Sequence, residues 1–314
     1  MAAKETIEIV GGANTGKTVF LCEMAVANPD QTVYLFDNQM KARRVFQFVA
    51  GGVPDNVIIL HTPTLQDAKL AVWSDKIPAH IVGGRTNVPG IDAAFHGQPE
   101  GTGLVLIDNI DVWWDRSQQH YVSRMSQGEQ SLGDHMLETV ARKRADQQRR
   151  QEAIEKSGNS NQTVGMKGGS EFEGFVEWPV IKQWHNEELV EPLLFDFPCH
   201  VIATALVREL RQAGDFFTDS EDRQEMWGAL RVVPLGEKGN DGRFNTILYI
   251  ERQGLEEVTY RLSCVKDMAR ALGKPAKLFL RKTLAADDAG VFSVWDEYRS
   301  QQPGTPAKFD ADVY

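Results

Sequence analysis

The chain has 314 residues, of which 42% are hydrophobic and 25% charged, with a formal net charge of −10. That is enough chain for one sizeable core, and the acidic balance disfavours diffuse binding to nucleic acid while leaving room for a local basic contact. The three cysteines, Cys22, Cys199 and Cys264, form no CxxC pair, so neither a zinc site nor a disulfide framework is suggested, and the isolated thiols fit a reducing, cytoplasmic compartment.

In chain order, MAAKETIEIV lacks a basic segment followed by an apolar one, so no signal peptide is expected. No uncharged apolar run approaches the ~18 residues of a membrane span, so no membrane partner is expected either. TIEIV, Thr6 to Val10, has the composition of a short strand, and KTVFLCEMAVAN, stopped by Asn28-Pro29, that of a helix. Between them lies GGANTGKT, which meets the pattern GxxxxGK[ST] at Gly11, Gly16, Lys17 and Thr18. Average composition gives roughly a 1% chance of such a match in a chain this long, before the flanking strand and helix are required.

The residue types explain the pattern. Glycines let the backbone form a concave nest whose N–H groups point at phosphate oxygens, and the helix that follows adds its positive end. The nucleotide-binding residues are therefore expected to be Gly11, Gly12, Ala13, Asn14, Thr15, Gly16, Lys17, Thr18 and Val19. Lys17 would reach the β- and γ-phosphates, and Thr18 would hold Mg2+.

Further strands are predicted at QTVYLFD (31–37), NVIILH (56–61) and CHVIATAL (199–206), with helices at MKARRVFQFVA and TLQDAKLAVWSD. GLVLIDNIDVWWD (103–115) carries a continuous apolar run, Leu104 to Ile107, ending at Asp108. Such a run reads as a central parallel strand, and Asp108 as the carboxylate that holds the metal, through water. Asp111 could orient water. Strands alternating with helices predict an α/β doubly wound sheet with ligands at the strands' carboxyl ends, where the glycine loop, Asp37, Asp108 and Thr204 would converge. Thr204 could meet the γ-phosphate or the attacking water; the alternative is a hydroxyl satisfied by a neighbouring backbone group. FNTILYIE and EEVTYRLSCV read as a late β-hairpin, turning near Gly254.

Two segments interrupt this pattern. The first, about 116–175, holds a charged helix with Arg142, Lys143, Arg144, Arg149 and Arg150 and then a Gly/Ser/Asn-rich loop. The second follows Thr204 and holds Arg208, Arg211, Phe216 and Phe217. The tail, 276–314, reads as an extension and possible subunit contact, with Val291, Val294, Trp295 and Tyr298 on one side of a short helix and a loose end.

In its order of parts the sequence resembles the phage-type RecA-like P-loop ATPases that act in recombination or single-strand annealing. The resemblance rests on GGANTGKT with its helix, LVLIDNIDVWW, EWPVIKQWHNEELVEPLL before HVIATALVRE, and RLSCVKDMAR. It covers most of Glu5 to Arg270, which implies a RecA-like ATPase domain over residues 1–275. It also implies a homo-oligomer with nucleotide between subunits and a cation donated by a neighbour. Lys266, which matches the VKD position, is the first candidate, with Arg252 and Arg270 beside it and Arg281 behind. The family's water-activating glutamate is replaced here by Asp37 and Gln39; a glutamine can orient water but cannot take its proton. The resemblance further implies that the two interrupting segments touch DNA, single-stranded more than duplex, through cations and stacking aromatics. The alternatives are a DNA-translocating packaging motor and a nucleotide-dependent assembly factor that touches no DNA. No guanine-recognising NKxD motif stands at a strand end, which favours ATP.

Overall fold

The computed structural model describes residues 4–128, 130–156, 177–211, 219–253, 259–267 and 278–283. The strands are β1 (Thr6–Gly11), β2 (Val33–Asp37), β3 (Val57–Leu60), β4 (Leu104–Asp108), β5 (His200–Ala205), β6 (Val207–Glu209), β7 (Val232–Pro234), β8 (Thr246–Gln253), β9 (Thr259–Asp267) and β10 (Leu278–Thr283). The helices are α1 (Lys17–Ala27), α2 (Ala42–Ala50), α3 (Leu65–Trp73), α4 (Ile91–Phe95), α5 (Ile110–Met125), α6 (Leu132–Lys156), α7 (Glu177–His185), α8 (Glu221–Trp227) and α9 (Asn240–Arg243). After α7 the chain continues in two wider π-helical turns, Asn186–Val190 and Pro192–Asp196.

Eight strands form one sheet in the order β10-β9-β8-β1-β5-β4-β2-β3. From β3 to β8 every neighbouring pair is parallel, and β9 and β10 close the other side antiparallel. The predicted hairpin is thus β8 and β9; its turn at Gly254 lies outside the described residues. Strand β10 falls in the stretch read as a tail extension. It is six residues long, LFLRKT, and alternates weakly, so its pairing with β9 supplies what the sequence signal lacks.

Parallel strands need helical crossovers, and those helices bury both sheet faces. Alternation decides which side chain goes where. Val33, Leu35, Leu104, Leu106, Ile7 and Ile9 face Phe20, Leu21 and Met24 of α1 and Phe46 of α2. Tyr34, Phe36, Val105, Ile107 and Val10 face the opposite layer, built from α3, α5, the π-helical turns and Trp227. Trp113 of α5 is fully buried there, edge-on to Phe36 with ring centroids 4.8 Å apart. Helix α3 starts on a capping box in which Thr64 and Asp67 exchange hydrogen bonds. At the far edge, the outer side of β3 is covered: Arg85 donates to the Val57 carbonyl (3.2 Å), and just past the strand the His61 N–H donates to the Ile81 carbonyl (2.8 Å).

Helix α5 runs unbroken through Arg116, the first residue of the predicted insertion, to Met125, and α6 follows at Leu132. Arg142, Arg144, Arg149 and Arg150 lie exposed on α6. The Gly/Ser-rich stretch 157–176 is outside the described residues, as are Phe216, Phe217 and the predicted tail helix. Among the described residues no helix is long and apolar enough to cross a membrane.

Candidate functional site

The carboxyl ends of β1, β2, β4 and β5 share one end of the sheet, where ligands of open parallel sheets bind. The glycine loop leaves β1 there. Its shape depends on residues that tolerate unusual backbone: Asn14 has φ 59° and Gly16, which precedes α1, has φ 88°. Gly11 is required for a different reason. A Cβ on it would lie 2.4 Å from the Ile250 carbonyl oxygen and 2.8 Å from Thr15 Oγ1. Thr15 donates to the Gly12 carbonyl at 3.0 Å, closing the loop on itself.

Lys17 sits inside this loop, 6% exposed. Its ammonium donates to the carbonyls of Gly11 (2.8 Å) and Gly12 (2.6 Å). Burial pulls its pKa down to about 8, against the pull of Asp108 and Asp111 in the other direction. A buried cation held by main-chain carbonyls, at the start of an 11-residue helix, is a site prepared for an anion.

One residue on, Thr18 Oγ1 donates to Asp108 Oδ2 at 2.6 Å. Thr204, fully buried on β5, donates to Asp108 Oδ1, also at 2.6 Å. Asp108 is therefore gripped from both sides by hydroxyls, and β5 lies between the strands that carry the loop and the carboxylate. The Thr204 hydroxyl also lies 3.4 Å from the Ile107 carbonyl, so a neighbouring backbone group is within its reach, but its shorter bond is to the Asp108 side chain. Thr18 and Asp108 supply two hard oxygens at one point, a donor set suited to Mg2+. Among the described residues no group of three His, Cys, Asp or Glu side chains converges to hold a metal unaided.

Asp37 reaches the same end of the sheet, but both its oxygens accept from the start of α2, from the N–H groups of Lys41 and Ala42 at 2.9 Å each. Gln39 donates to Asn109 Oδ1 (3.0 Å) and accepts from Lys41 Nζ (2.5 Å). Asp111 is 7% exposed and accepts from the Leu206 N–H at 3.3 Å; burial pushes its pKa up to about 6. Lys266 is not at this end. It pairs with Ile247, which is in register with Glu8, and its ammonium donates to the carbonyls of Asp241 (3.3 Å) and Gly242 (3.1 Å). Arg252 is on β8 and Arg281 on β10, while Arg270 lies outside the described residues.

Two residues, Asn38 and Arg116, belong to the site without having been expected there, and a third, Glu8, lies beneath it. The Asn38 N–H donates to the Asp108 carbonyl (2.8 Å), and its side-chain oxygen accepts from Arg116 (2.6 Å) and Thr62 (3.2 Å). Arg116 is 9% exposed, and its spacing from Trp113 by three residues on α5 is the signal that it faces inward. Below the loop on β1, Glu8 is wholly buried, and among the described residues neither of its carboxyl oxygens has a hydrogen-bond partner. Burial pushes its pKa up to about 8, helped by Asp241 and Asp111 and opposed by Arg223 and Lys266.

No protein-family model matches the chain, and no curated protein matches it in sequence. The family is not shown. The mostly parallel sheet with helices on both faces is compatible with a RecA-like fold.

Proposed function

We propose that this chain is a Mg2+-dependent ATPase of RecA-like type that handles single-stranded DNA as a homo-oligomer. The observation that carries the nucleotide reading is Lys17, a buried ammonium held by loop carbonyls beside an Asp108 carboxylate clamped by Thr18 and Thr204. Loop N–H groups and Lys17 would neutralise the phosphates, acting on charge that develops during phosphoryl transfer. Thr18 and Asp108 would hold the magnesium, which when bound screens the β- and γ-phosphate oxygens. Thr204 fixes the Asp108 carboxylate for that task. Gln39, held by Asn109 and Lys41, would orient water, and Asp111 would be the carboxylate that accepts its proton. The DNA part of the reading is supported by the exposed arginines of α6.

Binding of a fluorescent ATP analogue and release of phosphate test this directly. Lys17→Ala is expected to abolish nucleotide binding. Asp108→Asn is expected to keep magnesium-free binding and to lower turnover by about two orders of magnitude or more. Unchanged phosphate release in Lys17→Ala would overturn the nucleotide reading.

A further inference from the structure

Helices α5 and α7 meet outside the site, and two tryptophans face each other where they do. The indoles of Trp114 and Trp178 are stacked, with rings 9° from parallel and centroids 5.4 Å apart. Both are partly exposed. With Pro179, Lys182, Gly236 and Lys238 they line a cavity of about 640 Å³, a volume ordinary for a small-ligand site.

The cavity is supported from behind. His185, fully buried and held neutral, stands edge-on to Trp114 with centroids 5.2 Å apart. At Gly236, which has φ 101°, a Cβ would come within 3.3 Å of Asp111 Cα and 3.9 Å of Asn240 Nδ2. Asn240 is 1% exposed, and among the described residues that amide nitrogen has no hydrogen-bond partner. An unused buried donor therefore lies beside the floor of an aromatic cavity.

Its charge is opposite to that of the chain. Buried Glu237 accepts from both Lys182 (3.0 Å) and Arg243 (2.8 Å), Arg243 also meets Glu191 (3.1 Å), and the exposed Lys238 adds a third cation, so three cations stand against two carboxylates. In a chain of net charge −10 this rim is locally positive. Flat aromatic faces with cations at the margin suit a planar group that carries an anion. A nucleobase with its phosphate is such a group, and base–aromatic stacking works for every base.

We propose that this cavity takes a base of single-stranded nucleic acid on the Trp114–Trp178 stack, with Lys182 and Lys238 meeting the adjoining phosphates. The assignment rests on the DNA-handling part of the proposed function and not on nucleotide hydrolysis. It places the strand on an element shared with the nucleotide site, because Trp114 is three residues after Asp111 on α5. The basic face of α6 is not required for it.

The test is binding of labelled oligo(dT) to the full chain without nucleotide triphosphate, read by anisotropy and by quenching of tryptophan fluorescence. Trp178→Ala should weaken binding roughly tenfold, and Trp178→Phe, which keeps a stacking face, should restore most of it. With two phosphates engaged, the log–log salt slope should be about −1.4, and Lys238→Ala, at an exposed position, should reduce it by about 0.7. Oligo(dT) binding that neither Trp178→Ala nor Lys238→Ala changes overturns the proposal. So does quenching by free dTMP as strong as by the strand, which assigns the cavity to a mononucleotide, or quenching only by an acidic aromatic peptide, which assigns it to a protein. Lys17→Ala serves as the separating control. Loss of nucleotide binding with strand quenching intact leaves the cavity assignment standing, and strand binding indifferent to Trp178 leaves the ATPase reading standing.

Discussion

Replacing Glu8 by Leu or Gln removes a buried carboxyl that holds its proton to about pH 8. In the unfolded chain the same group ionises at its ordinary value of 4.5. Between those values the folded state binds one proton more than the unfolded state, so stability falls as pH rises. Glu8's contribution is complete below pH 4.5 and is lost by the time pH passes about 8. Each pH unit is worth about 1.4 kcal/mol, and the window about 5 kcal/mol, a large share of the stability of a domain. Leu is the cleaner probe, since Gln keeps polar atoms in a place that offers the carboxyl no partner. Urea unfolding followed by circular dichroism at about pH 5, 6.5 and 8 measures the effect as wild type minus variant, which cancels the other titrating groups. The gain from Glu8→Leu should grow by about 4 kcal/mol from about pH 5 to about pH 8. Parallel pH profiles for wild type and variant would refute the reasoning, because they would mean that Glu8 titrates alike in both states.

Thr204→Val keeps the shape of the side chain and removes its hydrogen bond to Asp108. Hydrogen bonds to charged groups are worth about 1.5–3 kcal/mol, so urea unfolding should show a loss in that range, together with weaker magnesium-dependent nucleotide binding. Asp37→Ala uncaps α2 and should cost about 0.5–2 kcal/mol in urea unfolding; Asp37→Asn keeps one acceptor oxygen but turns an NH2 toward the other N–H, so it should recover only part of that loss. Gly11→Ala forces a methyl against the Ile250 carbonyl and should cost about 1–3 kcal/mol in thermal or urea unfolding and loosen the loop's hold on nucleotide. Wild-type affinity and stability in that variant would show that the approach seen at Gly11 is not binding on the backbone.

The central strands and the glycine loop were legible because their signals are local. Leu104 to Ile107 is apolar at every position, which only a strand buried on both faces needs, and Asp108 ends it. What Asp108 touches was not legible. Thr18 and Thr204 are 90 and 96 residues from it in sequence, and only the parallel register of β1, β5 and β4 brings them together. Glu8 was hidden by its own strand. TIEIV alternates as a half-exposed strand does, and nothing within it says that β8 and β5 will flank it and helices cover both faces. The aromatic cavity was half visible: Trp114 and Trp178 stand 64 positions apart in the numbering, and their stacking depends on how α7 returns across α5. The π-helical turns and the short β6–β7 pair carry no local periodicity strong enough to predict them.

The cover on β3 has a consequence for solubility. An open sheet ends in a row of unpaired main-chain groups, and a four-residue strand such as VIIL would be an inviting template for a second chain. With Arg85 on the Val57 carbonyl and Ile81 on the His61 N–H, both ends of that edge are already engaged, which leaves a foreign strand only a short unpaired stretch to add to. The loop between α3 and α4 thus blunts an exposed sheet edge, and shortening it should raise aggregation, measured by light scattering, without touching the nucleotide site.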